Sequence, residues 1–280
     1  ADVVAFLLSF SGGDLPTPDP LDFSEVPATP SQDAHAAVGV QVTLGAVGSG
    51  AAESLLVDEL VALADTGAVG LVAHGRRGGV NRGHAYVGGG LFQSDRAAEQ
   101  VSLAALKSGG VPGEELTFMA VPPGTETRLG LDRDEDTFLD RDELDAFSDP
   151  ADAGDVPGAW QDLFNALAGT DGLRPRFVPS GSLVAGTPLT LTLSDAQPGV
   201  AAYLVVGLST INAPYETGVL VPNPDILVIL NTGPGGEIPI ADTWPAGVPS
   251  GFAMYLQYWM LDPGGPTGWS ASNALQGVTP

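Results

Sequence analysis

Apolar and polar positions change their period part-way along the chain, and the change separates two kinds of structure. Residues 2–10 (DVVAFLLSF) are apolar on most helical faces with Asp2 as a cap, which predicts a two-turn helix too short to stand alone. Residues 11–34 scatter Pro16, Pro18, Pro20, Pro27 and Pro30 among small and acidic residues, the composition of an extended connector. From 37 to 121 alternating and helical patterns take turns. AVGVQVTL reads as a strand, and ESLLVDELVALAD as a helix with Leu56, Leu60 and Leu63 on one face. VGLVAHGR and GHAYVGG read as strands around a turn at 76–83, followed by a short helix near 98–107 and the strand ELTFMAV. The order βαββαβ predicts a ferredoxin-like domain over 35–125.

Beyond about 174 the helical period vanishes. PLTLTLSDA, GVAAYLVVGLS, DILVILNTG, GEIPIADTW and GFAMYLQYWMLD are separated by Pro, Gly and Asn turns, which predicts a β-sandwich over 159–280. WQDLFNALA (160–168) reads as a short helix leading into it. YLVVGL has the continuous apolar run of a central strand, whereas PLTLTL and MYLQYWML alternate like strands with one wet face. The expected fold class is α+β: a small α/β domain, a connecting segment over 126–158, and an all-β sandwich.

Composition narrows the functions open to such a chain. Acidic residues outnumber Lys and Arg by 34 to 10, giving a formal net charge of −24 that repels nucleic-acid phosphates and anionic membrane surfaces. With 44% hydrophobic and only 16% charged residues the chain should nevertheless fold. The absence of cysteine excludes disulfides, thiolate metal sites and covalent haem attachment through CxxCH. The longest apolar stretch, residues 3–10, falls far short of the roughly 20 residues a membrane helix needs, so no membrane insertion is expected. It also lacks the basic start and cleavage site of a signal peptide, and Ala1 therefore reads as the start of a processed or excised chain.

The connecting segment carries the most specific chemistry. Between Asp132 and Glu143 the sequence DRDEDTFLDRDE puts acids at positions 1, 3, 5, 9 and 12, the spacing of an EF-hand-type calcium loop. Calcium takes six to eight oxygens. Asp132, Asp134 and Asp136 would give side-chain oxygens and Phe138 its main-chain carbonyl; Asp140 would act directly or through water, and Glu143 with both oxygens. Leu139 suits a loop that tucks one side chain into a core. Thr137 stands where glycine normally makes the sharp turn, at a cost of about 1 kcal/mol or more for a β-branched residue at positive φ. Across 132–155 eleven acids face only Arg133 and Arg141, so a divalent ion would relieve the repulsion. Asp145, Asp149, Asp152 and Asp155 are candidates for a second site, though their spacing fits no template.

Other candidates have plainer explanations. His74 and His84 flank HGRRGGVNRGH, where Arg76, Arg77 and Arg82 read as a wet hairpin tip, and no carboxylate spacing joins the histidines. The glycines there lie in a hairpin and form no dinucleotide fingerprint, and no GxSxG, Walker A or HExxH motif occurs. Tyr255, Tyr258, Trp259, Trp244 and Trp269 would make a sugar-stacking platform, but aromatic residues in a sandwich more often pack.

RLGLDRDEDTFLDRDELDAFSDPAD resembles the calcium loops of EF-hand, dockerin and thrombospondin type 3 repeats near the C-terminus of large secreted bacterial proteins. GTPLTLTLSDAQPGVAAYLVVGLS, TWPAGVPSG and DPGGPTGWSASNALQGVTP resemble a C-terminal β-sandwich of such proteins that has no assigned activity. ADVVAFLLSFSGG is similar to the last helix of a c-type cytochrome domain. The resemblance implies the C-terminal portion of a longer exported parent. With the loop, the acidity and the missing catalytic motifs, the expected function is a non-catalytic, calcium-stabilised extracellular or cell-surface module for structure or adhesion. Its cofactor would be Ca2+, a joint rigidifying two domains, and a periplasmic address is compatible. Two alternatives stay open: a filament subunit joined to other copies of itself by exchange of residues 1–10, and a carbohydrate- or partner-binding module of a secreted enzyme or cytochrome.

Overall fold

The computed structural model describes residues 35–46 and 48–280; the apolar segment at 2–10 and the Pro-rich connector at 11–34 lie outside them. Two compact units are present: one runs from residue 35 to Asp142 and includes Pro150–Gly154, and the other comprises Glu143–Asp149 and Asp155–Pro280. Both are dominated by antiparallel sheet. Among the described residues no helix is long and apolar enough to cross a membrane.

The first unit is built on strands β1 (Gln41–Leu44), β2 (Gly70–Arg77), β3 (Val80–Gly88), β4 (Leu91–Ser94), β5 (Gln100–Ser102) and β6 (Leu116–Val121), with helices α1 (Ala51–Asp65) and α2 (Leu103–Gly109). They form one sheet in the order β1-β6-β2-β3-β4-β5. As expected of a split βαβ unit, a strand lies between β1 and β2. The inserted strand is β6, the last in the unit, and β2 to β5 run as a meander, so the ferredoxin-like order expected from the element sequence is not the one adopted. Element order leaves the placing of β6 open, and β4 and β5 are only 4 and 3 residues long, too short to carry a period. α2 begins at Leu103, later than the helix expected near 98, because 100–102 pair as β5 against β4.

Alternation along β2 serves two cores. Leu71 and Ala73 join Val57, Leu60, Val61, Phe92, Leu106 and Phe118 in the core beneath α1. Val72 points the other way, to a smaller cluster with Ala85, Val121, Leu131, Met119 and Leu139. α1 buries Val57, Leu60 and Val61, whereas Leu56 is exposed, so its apolar face is rotated from the expected Leu56–Leu60–Leu63 stripe. Only Leu60 and the half-buried Leu63 keep their assigned role.

The second unit has strands β7 (Trp160–Phe164), β8 (Arg176–Ser180), β9 (Pro188–Ser194), β10 (Ala201–Gly207), β11 (Thr210–Tyr215), β12 (Gly218–Pro222), β13 (Ile226–Asn231), β14 (Ile238–Thr243), β15 (Ala253–Leu261), β16 (Trp269–Ala271) and β17 (Ala274–Val278). One sheet runs β13-β10-β15-β17-β7, with β16 also on β15, and a second runs β14-β9-β8. Trp160, Ala202, Leu204, Met254, Leu256, Tyr258, Met260 and Leu275 from the first meet Phe177, Leu191, Leu193 and Ile238 from the second in one core, the arrangement of a β-sandwich.

Two expectations fail here for tertiary reasons. Residues 160–164 are a strand and not a helix, because Trp160 pairs with Gly277 and drops its ring into the space that glycine leaves. β15 is buried on both faces: the hairpin β11–β12 and Leu167 cover the side expected to be wet, over Trp259 and Val205. Gln257 is wholly buried there, its Oε1 accepting from Val221 N–H (3.0 Å) while its Nε2 donates to Val219 O (3.1 Å) and Ser272 O (3.3 Å). Three of the five late aromatic residues are buried in packing, while Tyr255 and Trp269 are partly exposed. Tyr258, Trp259 and Trp244 are 0%, 2% and 8% exposed, which leaves no stacking face on any of the three.

Gly83 on β3 is a testable contact. A Cβ there would come within 2.1 Å of the Gly130 carbonyl oxygen, a backbone atom with little room to yield. Gly83→Ala should cost about 1–3 kcal/mol and lower the thermal midpoint by several degrees. An unchanged midpoint by circular dichroism would show that this approach is slack.

Candidate metal centre

Residues 132–139 lie between two short helices, α3 (Glu126–Gly130) and α4 (Asp140–Asp145). Sequence reading missed α3, since five residues cannot show a period. Its last turn hands the chain into the loop: the N–H groups of Leu131 and Asp132 both donate to Thr127 O (2.7 and 2.9 Å). His74 Nε2 lies 2.7 Å from Leu129 O, and a Cβ at Gly130 would come within 3.0 Å of His84 O and of the Val72 side chain. The loop is pinned below by Leu131 and Leu139 in the small core of β2, β3 and β6, so Leu139 does tuck inward as position 8 requires.

Backbone N–H groups turn the loop around its acids. Asp132, 4% exposed, accepts from Glu135 N–H at Oδ1 (2.7 Å) and from Thr137 N–H at Oδ2 (3.1 Å). Asp134 Oδ1 accepts from Asp136 N–H (3.3 Å), and Asp136 Oδ1 from Phe138 N–H (2.8 Å). The other oxygens, Asp134 Oδ2 and Asp136 Oδ2, are buried and have no hydrogen-bond partner. Asp132, Asp134 and Asp136 each offer an oxygen within 4.8 Å of the others; this is the only group of three or more metal-ligating side chains among the described residues. Thr137 sits at φ 87° and Glu135 at φ 64°, so the glycine-like turn expected at position 6 is made with a β-branched residue held in the left-handed region.

The remaining expected ligands stand outside that group. Asp140 Oδ1 accepts from Arg133 N–H (2.8 Å), and its Oδ2 is 3.4 Å from Arg133 Nη2. Burial pushes the Asp140 carboxyl above its ordinary range; Arg133 pulls it back, while the charges of Asp95 and Asp132 add to the rise. Phe138 is half-exposed at its side chain, and Glu143, on the second half of α4, is wholly buried. Asp145, Asp149, Asp152 and Asp155 form no second group of this kind among the described residues. Asp155 Oδ2 instead accepts from Asp149 N–H (3.1 Å), and Asp152 Oδ1 from Gly154 N–H (3.0 Å).

The arginine cluster divides. Arg82 is 7% exposed, not at a wet hairpin tip: its Nε donates to Asp95 Oδ1 (2.6 Å), and its Nη2 to Ser94 Oγ (2.9 Å) and to Glu99 Oε2. Asp95 also accepts from Gly83 N–H at Oδ2 (2.7 Å) and from Arg141 N–H at its carbonyl (2.9 Å), and Ala97 N–H donates to Asp142 Oδ2 (2.7 Å). This network ties the start of α4 to the turn after β4. Nothing in the local sequence marks it, because Arg82 and Asp95 meet only through the pairing of β3 with β4.

Comparison with protein-family models, with curated proteins and with solved structures finds no match for this chain. The geometry therefore stands on its own.

His84 supplies a pH test of the unit that carries the loop. Burial drives its pKa from 6.5 down to about 4, so the folded state holds it neutral while the unfolded chain protonates it. Its contribution is complete above pH 6.5 and is lost as pH falls toward 4, by about 3 kcal/mol. Denaturant midpoints should fall across that window, and His84→Phe should flatten the fall above the range where carboxylates titrate. An equal slope in both proteins would refute the assignment.

Proposed function

We propose that this chain is a non-catalytic, calcium-stabilised structural or adhesion module of an extracellular or cell-surface protein. The observation that carries the reading is the pair of buried, unpartnered oxygens on Asp134 and Asp136 beside the buried Asp132. A buried carboxylate oxygen without a donor is costly, and a hard divalent cation is the partner that three converging carboxylates suit. Histidine and cysteine, which softer metals prefer, are absent from the group.

Asp132, Asp134 and Asp136 would hold the ion. Loop position nominates Asp140 and the Phe138 carbonyl to add to the shell. The metal would supply charge neutralisation and folding free energy, and no reaction is assigned to it. A formal charge of −24 without cysteine fits a chain that relies on calcium where calcium is plentiful. The resemblance of the loop and of the last hundred residues to the C-terminal region of secreted bacterial proteins supports the same address.

Calorimetric titration of the EDTA-stripped full chain should give one calcium site with a dissociation constant on the order of 10⁻⁴ M, the weak range of extracellular modules. Calcium at a hundredfold excess over that constant should stabilise the fold by about 2.7 kcal/mol. Asp134→Asn with Asp136→Asn should abolish both effects. Absence of heat and an unmoved thermal midpoint in the unaltered chain would refute the proposal.

A further inference from the structure

Strand β13 has the composition of a central strand but occupies an edge. It pairs with β10 alone, and among the described residues no strand lies on its other side. Its residues, ILVILN, carry no charge and are apolar in both alternations. Ile226, Val228 and Leu230 stand opposite Val206, Leu204 and Ala202, on the side of the sandwich core, while Leu227 and Ile229 stand opposite Val205 and Tyr203 on the other face. Buried strands of this kind are covered on both faces. Here Ile226, Leu227, Val228 and Ile229 are 56%, 54%, 38% and 65% exposed.

The other three outer strands of the two sandwich sheets are protected in the usual way. β7 carries Asp162, β8 carries Arg176 and Pro179, and β14 carries Pro239 and Asp242. β13 has neither a charge nor a proline; Pro224 and Pro234 merely bracket it. Its free backbone groups thus offer a ladder that fits one uncharged strand of about six residues.

We propose that the occupant is β13 of a second copy, paired antiparallel about a two-fold axis normal to the sheet. The partner strand must be extended, uncharged and apolar on both faces, and β13 itself answers that description. Charge selects the direction. Asp225 immediately precedes the strand, so parallel pairing would set two aspartates side by side, whereas antiparallel pairing separates them by roughly 20 Å, beyond the screening length at physiological salt. In a chain of net charge −24, this uncharged stretch lets two copies approach without apposing carboxylates. The two exposed patches together would bury at most about 800 Å², below the range of stable specific interfaces, which makes the dimer weak and reversible.

Sedimentation equilibrium of the full chain should show a monomer–dimer transition that strengthens with added salt. Ile229→Lys, a charge on the exposed edge, should weaken the dimer at least tenfold while leaving the circular dichroism spectrum unchanged. Because the chain has no cysteine, a single introduced thiol reports apposition of copies. A two-fold normal to the sheet keeps every side chain on its own face, so Val228 or Ile229 lies opposite itself. Either Val228→Cys or Ile229→Cys should give a disulfide-linked dimer under mild oxidation, and Leu173→Cys, exposed outside the strands, should not. A monomer at every concentration would overturn the proposal. So would a dimer indifferent to Ile229→Lys, the failure of both strand cysteines to cross-link, or an association that needs residues 1–34 and not β13.

Discussion

Three carboxylates held within one ion's reach repel one another, and the first unit is arranged around tolerating that. At separations under 5 Å each pair costs on the order of 1–4 kcal/mol at the dielectrics found near protein surfaces. Four backbone N–H groups, those of Glu135, Asp136, Thr137 and Phe138, offset part of the cost and fix the loop's path. They leave one oxygen on Asp134 and one on Asp136 unsatisfied and buried. The positive φ at Thr137 adds strain in the same direction. Such a loop persists because it is clamped from outside: by α3 over Gly83, by Leu131 and Leu139 in the small core, and by Asp95 holding Arg82 and the first turn of α4.

The loop's local geometry was partly legible in the sequence because the spacing of its acids is local. Positions 1, 3 and 5 converge as expected, position 8 packs inward, and position 6 takes the conformation that glycine would. Its supports were not legible. His74 to Leu129, Arg82 to Asp95 and Gly83 to Gly130 are contacts between distant stretches that no period or spacing encodes. The ferredoxin-like order failed for the same reason, since placing β6 between β1 and β2 depends on register and not on element order.

In the second unit the strand-rich pattern announced a sandwich, and two sheets do share one core. Faces were harder to assign. β15 alternates as if one side were wet, yet a hairpin covers that side and Gln257 is satisfied by three backbone partners. β13 shows the reverse: the sequence of a buried strand and the exposure of an edge. Both cases turn on what lies over a strand, which composition does not report. The mismatch at β13 is informative because the neighbouring edges carry the usual charges and prolines.

Hydrogen exchange at the loop amides tests the metal reading most directly. Glu135, Thr137 and Phe138 N–H donate to aspartate oxygens that calcium would draw together, so ordering the loop must protect these groups first. Exchange should slow at least tenfold on adding calcium to the chelator-treated chain, with magnesium far less effective. Identical exchange with calcium and with chelator would contradict a calcium-stabilised loop.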